Sequence, residues 1–337
     1  MKFFQLYIIL LIILFNVYHL DAHDDTVHDQ LLTVIELSIN HRYEVAESLL
    51  TQLIRSDDQE PAFYFFMAAV LQSKMMDYED YRWEHEFDNY IDMCEASARG
   101  KIEVDETDKW GYFYLGSALS YRAFNEGKRN NYIGAITHAM KGMSALSKTK
   151  QLDPDFDDVY FGLGSYKYWR SKATKYINWL PIIKDERAIG IEMVQRAAEG
   201  GELTKYAAIN GLTWMLIDDR RVTEALMWAK RGIEKFPTSR FFLWGVAKSY
   251  MNLKDYDDAI KYFELIISSF KAGEMNNHYN KAVCYYNLAK AHYELGNPGQ
   301  SIEYLNLIDT LEVTDATAQR LTNILRRSKN LRKKISG

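Results

Sequence analysis

The sequence predicts an all-α protein, a right-handed α-solenoid of about seven helix pairs with a C-terminal capping helix. Three observations carry this expectation. Helix breakers are scarce, with 5 prolines and 18 glycines over 337 residues. Small residues recur at fixed offsets among large apolar ones, the spacing two antiparallel helices need to approach closely. The pattern also returns at a near-constant period, the mark of an array in which each unit buries its apolar face against the next and touches only its neighbours. A hydrophobic content of 47% against 26% charged residues is that of a folded chain rather than a disordered one. The length suits two ordinary domains or one elongated array.

Residues 1–22 read MKFFQLYIILLIILFNVYHLDA. Lys2 supplies a positive start, Phe3 to Val17 is apolar except for Gln5 and Asn16, and polarity then rises through Asp21, His23, Asp24 and Asp25. That order predicts a secretory signal peptide, with Ala22 before the cut. The apolar run is also near the lower limit for a spanning helix, so a retained N-terminal anchor fits as well. Both readings put residues 23–337 outside the cytoplasm, in the periplasm or associated with the envelope. No cysteine follows the run, which excludes a lipoprotein signal. Residues 23–30 read as a polar leader. His23, Asp24, Asp25, His28 and Asp29 could hold a metal only loosely there, and no metal site is expected.

The solenoid is expected over 31–312. A partial unit shows Tyr43, Ala46, Leu50 and Leu53. The next has Tyr64, Met67 and Ala68, then Tyr90, Cys94 and Ala98. A third opens with Tyr112, Leu115 and Gly116 and returns through Ala135, Ala139 and Gly142. A fourth follows the break Asp153-Pro154-Asp155, with Leu163 and Gly164 in its first helix. An insertion carrying Trp179-Leu180-Pro181 separates these from Ile189, Gly190, Val194 and Ala197.

The best units are 206–237, 240–272 and 282–311. The middle one contains Leu243, Val246, Ala247, Tyr250, Leu253, Tyr256, Ala259, Phe263 and Ile266, with Asn252 to Tyr256 as its tight turn. Leu212, Thr213, Leu216, Val222, Ala225 and Ala229 take the same places in the unit before, which Pro237 closes. Leu288, Ala289, His292, Leu295, Gly296, Ser301 and Leu305 take them in the unit after, with a longer loop expected near Gly273–Asn280. Residues 313–337 read as the capping helix with a basic tail: Arg320, Arg326, Arg327, Lys329, Arg332, Lys333 and Lys334. That tail reads as a solvated end, or as a contact for anionic lipid or an acidic partner.

The three C-terminal units resemble the tetratricopeptide-repeat superfamily, whose template has small residues at these offsets. Gly162-Leu163-Gly164-Ser165-Tyr166, Trp179-Leu180-Pro181, Asp185-Glu186-Arg187 and Gly190 resemble an exported bacterial branch of these proteins. That branch is similar to a eukaryotic tetratricopeptide family linked to organelle membranes and clearance of protein inclusions. The resemblance covers roughly 100–270 and implies a scaffold or adaptor without catalytic residues.

In such an array the first helix of each pair lines the concave face. Counting along the template puts Phe113, Tyr121, Tyr168, Asn210, Trp214, Trp244, Lys248, Tyr286, Lys290 and Tyr293 there. Aromatics at these places suit an extended peptide or a helix, and also suit packing against the neighbouring repeat. Lys248 and Lys290 occupy equivalent places and suit a carboxylate. The lysine, asparagine and arginine clamp with which some of these proteins hold a C-terminal carboxylate is absent from the matching places.

The expected function is a non-catalytic scaffold binding a protein or peptide in the groove. The alternatives are a structural subunit of a membrane-associated complex and a glycan or small-ligand binder using the aromatic groove. A net charge of −5 argues against a nucleic-acid partner. Peripheral membrane contact through the N-terminal segment or the basic tail is the further partner these segments suit. No cofactor is expected. Gly162-Leu163-Gly164 has Lys167 where a dinucleotide fingerprint needs glycine, Gly127-Lys128 lacks the upstream glycine of a phosphate loop, and His85-Glu86 lacks the second histidine of a zinc-protease helix. Cys94 and Cys284 lie several units apart in apolar patterns and read as buried, inert thiols rather than a disulfide.

Overall fold

The structure, a computed structural model, describes residues 26–174, 184–270 and 278–337, without the side chains of 315 and 316. The expected signal segment 1–22, the leader residues His23, Asp24 and Asp25, the Trp179-Leu180-Pro181 insertion and 273–277 lie outside the described residues. The rest is helix and turn, with no strand among the described residues. The helices are α1 (residues 26–39), α2 (Tyr43–Ser56), α3 (Pro61–Tyr78), α4 (Glu84–Val104), α5 (Lys109–Lys128) and α6 (Tyr132–Leu152). They continue as α7 (Val159–Ala173), α8 (Arg187–Gly200), α9 (Lys205–Asp218), α10 (Val222–Lys235) and α11 (Arg240–Leu253). The last are α12 (Tyr256–Ser268), α13 (His278–Glu294), α14 (Pro298–Asp309) and α15 (Asp315–Ser336).

They form the expected α-solenoid: seven pairs, α1/α2 to α13/α14, and a terminal helix. Two stretches differ from the sequence reading. Residues 26–30 belong to α1 rather than to a polar leader, and His28 reaches Glu202 at 3.0 Å. Residues 278–280 are the first turn of α13 rather than loop, because the Asn280 amide donates to the carbonyl of Asp77 at 2.9 Å and anchors that turn.

Local chemistry sets the boundaries. The Asp108 carboxylate caps α5 by accepting from the Gly111 N–H at 2.9 Å, and the Asn131 side chain caps α6 through Gly134 at 3.2 Å. Pro61 opens α3, where its missing N–H costs nothing. Each described turn from a first helix to its second contains a left-handed residue: His41, Glu79, Asn130, Arg220, Lys254 and Gly296. Within pairs the small residues let backbones touch. A Cβ on Gly164 would lie 2.6 Å from the Gly190 carbonyl, and one on Gly190 would lie 2.7 Å from that of Gly164. Gly116 and Gly142 stand in the same relation at 2.9 Å each way. In α13/α14 the Ser301 hydroxyl donates to the Ala289 carbonyl at 2.7 Å at the equivalent crossing.

First helices also touch one another, α3 with α5, α5 with α7, α7 with α9 and α9 with α11. Second helices of successive pairs stand further apart, so the array curves with first helices inside and second helices outside.

The curvature brings the ends together, so units do not touch only their neighbours. The Ser239 hydroxyl donates to the Ile39 carbonyl at 2.7 Å, and the Arg240 N–H donates to His41 Nε2 at 2.9 Å. Glu36 pairs with Lys235, and Arg320 of α15 pairs with Glu79. One apolar core runs from Leu31 of α1 to Phe242 of α11. Its centre is α3, in which Phe63, Phe65, Phe66, Met67, Val70, Leu71 and Met75 face different ways and are all buried. A helix apolar all round belongs inside a protein.

Candidate interaction surface

The predicted groove residues divide into two groups. Phe113, Tyr121 and Tyr168 are not groove residues. Phe113 is buried, its ring 5.0 Å from that of Phe156. Tyr121 stands edge-on to Phe65 of α3 at 5.1 Å. Tyr168 is fully buried; its hydroxyl donates to the Met215 carbonyl at 3.0 Å and to the Asp218 carboxylate at 2.7 Å, joining α7 to α9. Tyr121 and Tyr168 fasten one first helix to the next, and Phe113 packs against the segment that leads into α7. On α9, the Trp214 indole N–H donates to Asn210 at 3.1 Å, so this half-buried couple satisfies its own polarity.

The second group lies over α11, α13 and α15. Trp244 is half-buried, edge-on to Phe263 at 6.1 Å. The Lys248 ammonium lies 5.8 Å from the same ring and donates to the Asn287 amide oxygen at 3.0 Å. Tyr286 and Tyr293 are half-buried against the α13–α15 core, and Lys290 is exposed. Burial pushes the Lys248 amine down to about 8; Cys284 opposes this, and the charges of Lys290 and Arg327 add lesser pushes downward. The Tyr286 hydroxyl is raised by burial, and Arg327 partly offsets this.

Lys248, Lys290 and Arg327 thus form one electrostatic neighbourhood drawn from three helices. Among the described residues none of the three is paired with a carboxylate. Other cations between helices are matched by carboxylates, as with Lys109 and Asp153 at 2.6 Å or Arg129 and Asp88 at 2.8 Å, whereas Lys128 donates to the Tyr81 hydroxyl. The sequence placed Lys248 and Lys290 at equivalent positions. It read Arg327 as part of a basic tail, either solvated or in contact with anionic lipid or an acidic partner, and did not single out Asn287. The spacing of Arg327 on the amphipathic α15 was the available signal.

Two surface clefts lie elsewhere. One of 510 Å³ is lined by Asp157, Glu192, Gln195, Arg196, Glu199 and Gly200. The other, of 220 Å³, lies between α6, α7 and α8 and includes Met143, Tyr166, Lys167 and Arg170. Among the described residues no three metal-ligating side chains converge, and no helix is long and apolar enough to cross a membrane. Cys94 and Cys284 are both buried and unbonded, and burial pushes both thiols well above their usual range.

Residues 240–307 match the tetratricopeptide repeat family model. Among solved structures, the Cut9–Hcn1 hetero-tetramer of APC/C is similar at 16% identity and a TM-score of 0.56, over 91% of this chain and 50% of that one. YrrB, described as a TPR protein with an unusual peptide-binding site, is similar at 14% identity and a TM-score of 0.47, over 70% of this chain and 97% of that one. PilW, a type IV pilus biogenesis factor, is similar at 16% identity and a TM-score of 0.47, over 75% of this chain and 99% of that one. A search of the curated proteins found no relative.

Proposed function

We propose that this protein is an exported, non-catalytic scaffold that binds an acidic segment of a partner protein on the inner face of α11, α13 and α15. One observation carries the reading: Lys248, partly withdrawn from water, meets only the Asn287 amide oxygen at 3.0 Å, and neither it nor Lys290 or Arg327 is paired with a carboxylate among the described residues. Leaving water costs a cation free energy unless an anion meets it. A glutamate or aspartate of a partner supplies that anion, and Trp244, Tyr286 and Tyr293 offer flat apolar area beside it. Tryptophan, tyrosine and arginine are enriched among the residues that carry most of the energy of protein interfaces. Export rests on residues 1–22, and descent from the exported bacterial branch rests on the motifs around Gly162 and Asp185.

The test is a peptide array of varied acidity probed with the full chain and with a Lys248→Gln/Lys290→Gln/Arg327→Gln variant. Peptides rich in Glu and Asp should be retained by the first and bound about ten-fold or more weakly by the second, the size expected for losing one charge-assisted contact. Equal retention of acidic and neutral peptides, or no difference between the two proteins, overturns the reading.

A further inference from the structure

We propose that the outer face of α6 is a second, separate contact surface and that its partner is an anionic lipid bilayer. Among the second helices α6 is unlike the others. From Tyr132 to Leu152 it carries no aspartate or glutamate, whereas α2, α4, α8, α10, α12 and α14 each carry at least two. Ile133, Ile136 and Met140 follow one another at helical spacing and are 83%, 61% and 60% exposed. At about 100° per residue, Lys141 and Lys148 flank this stripe on one side and Lys150 on the other. The opposite face, with Gly142, Ala145, Leu146 and Thr149, is buried.

The shape and the charge select the partner. The stripe is a ridge on the outside of the curve, not a groove. A second copy meeting this face about a two-fold axis would set Lys141, Lys148 and Lys150 against their own counterparts. A bilayer accepts a ridge: apolar side chains enter the boundary of the acyl chains while flanking lysines meet lipid phosphates. Three apolar residues make this a weak, reversible contact that orients the solenoid with its inner face turned away from the membrane.

The structure supplies the probe. Cys94 and Cys284 are 0% exposed, so a thiol-reactive environment-sensitive dye on a Met140→Cys variant of the full chain reports position 140 alone. A Gln300→Cys variant carries the dye on the exposed surface of α14 as a control. On phosphatidylcholine vesicles containing phosphatidylserine, emission at 140 should shift to the blue and rise about two-fold or more, fall with high salt, and be quenched by nitroxide-labelled acyl chains. Pure phosphatidylcholine and the label at 300 should give no change. Three outcomes overturn the proposal. One is silence at 140, whether or not the chain sediments with vesicles. Another is equal change at both positions. The third is a shift at 140 that grows with protein concentration in the absence of lipid.

Discussion

The guanidinium of Arg240 holds both carboxylate oxygens of Asp77, at 2.7 and 2.6 Å, across 163 positions of sequence. Both side chains are buried. His41 completes the site: its Nε2 accepts from the Arg240 N–H, so the ring of the neutral form carries its proton on Nδ1, 3.2 Å from Asp77 and 3.0 Å from the Tyr43 hydroxyl. Arg240 also donates to the Ser269 carbonyl at 3.0 Å and stacks over Phe270. One ion pair therefore joins the second pair of the array to the sixth.

Removing either partner leaves the other charge buried. Asp77→Ala and Arg240→Ala should each lower unfolding free energy by about 3–5 kcal/mol, and the double variant should cost less than the sum. Urea unfolding of the three variants measures this. A loss under about 1 kcal/mol for both single variants means the closure contributes little to stability.

The same pair sets an acid limit. Burial pushes the Asp77 carboxyl up, but hydrogen bonds from Arg240 and His41 outweigh it and hold the group at about 2, below its ordinary 3.8. The contribution is complete above that ordinary value and is lost as pH falls through about 2, a change of about 2 kcal/mol. Stability between about pH 4 and pH 2 should fall more steeply for the native chain than for Asp77→Asn, as thermal melts across that window report.

Lys248 gives a slope of the same sign at alkaline pH. Its folded value of about 8 lies below the ordinary 10.5, so the unfolded chain binds more protons between these limits and stability rises with pH there. Lys248→Met should remove that rise and stabilise the chain at neutral pH by about 1–3 kcal/mol. Binding of an acidic peptide near pH 8.5 should take up a proton, seen by titration calorimetry as a heat that depends on the buffer's ionisation enthalpy. A heat independent of buffer rules out Lys248 as the contact.

The glycine crossings are intolerant of one methyl group. Gly190→Ala places a carbon 2.7 Å from a backbone carbonyl that cannot turn aside, and Gly142→Ala does so at 2.9 Å. Each should destabilise by about 1–3 kcal/mol. Gly299→Ala, where nothing lies within 4 Å of the added carbon, is the control in the same melts and should leave stability unchanged or raise it by up to about 1 kcal/mol.

Much of the fold was legible because it is local. Ala247 and Ala259, Thr213 and Ala225, and Ala289 and Ser301 recur at one spacing because each pair's crossing needs a small residue, and a periodic need leaves a periodic trace. The left-handed turns were not legible by residue type. His41, Glu79, Asn130, Arg220 and Lys254 have side chains of quite different kinds, and only Gly296 announces its conformation.

The candidate site was legible in part. Lys248, Tyr286 and Lys290 follow from the repeat register. Phe113 and Tyr168 obey the same register yet are buried, because the space inside the first helices is taken up by the array's own packing around α3.

The sequence by itself determined the pairs, their number and their small-residue crossings, since those depend on residues within a unit or its neighbour. Only the tertiary structure decided that the ends meet through Asp77 and Arg240, that Arg327 joins Lys248 and Lys290, and that part of the inner face is core. Those contacts depend on the curvature accumulated over several units, a sum of small rotations that no single stretch of sequence states.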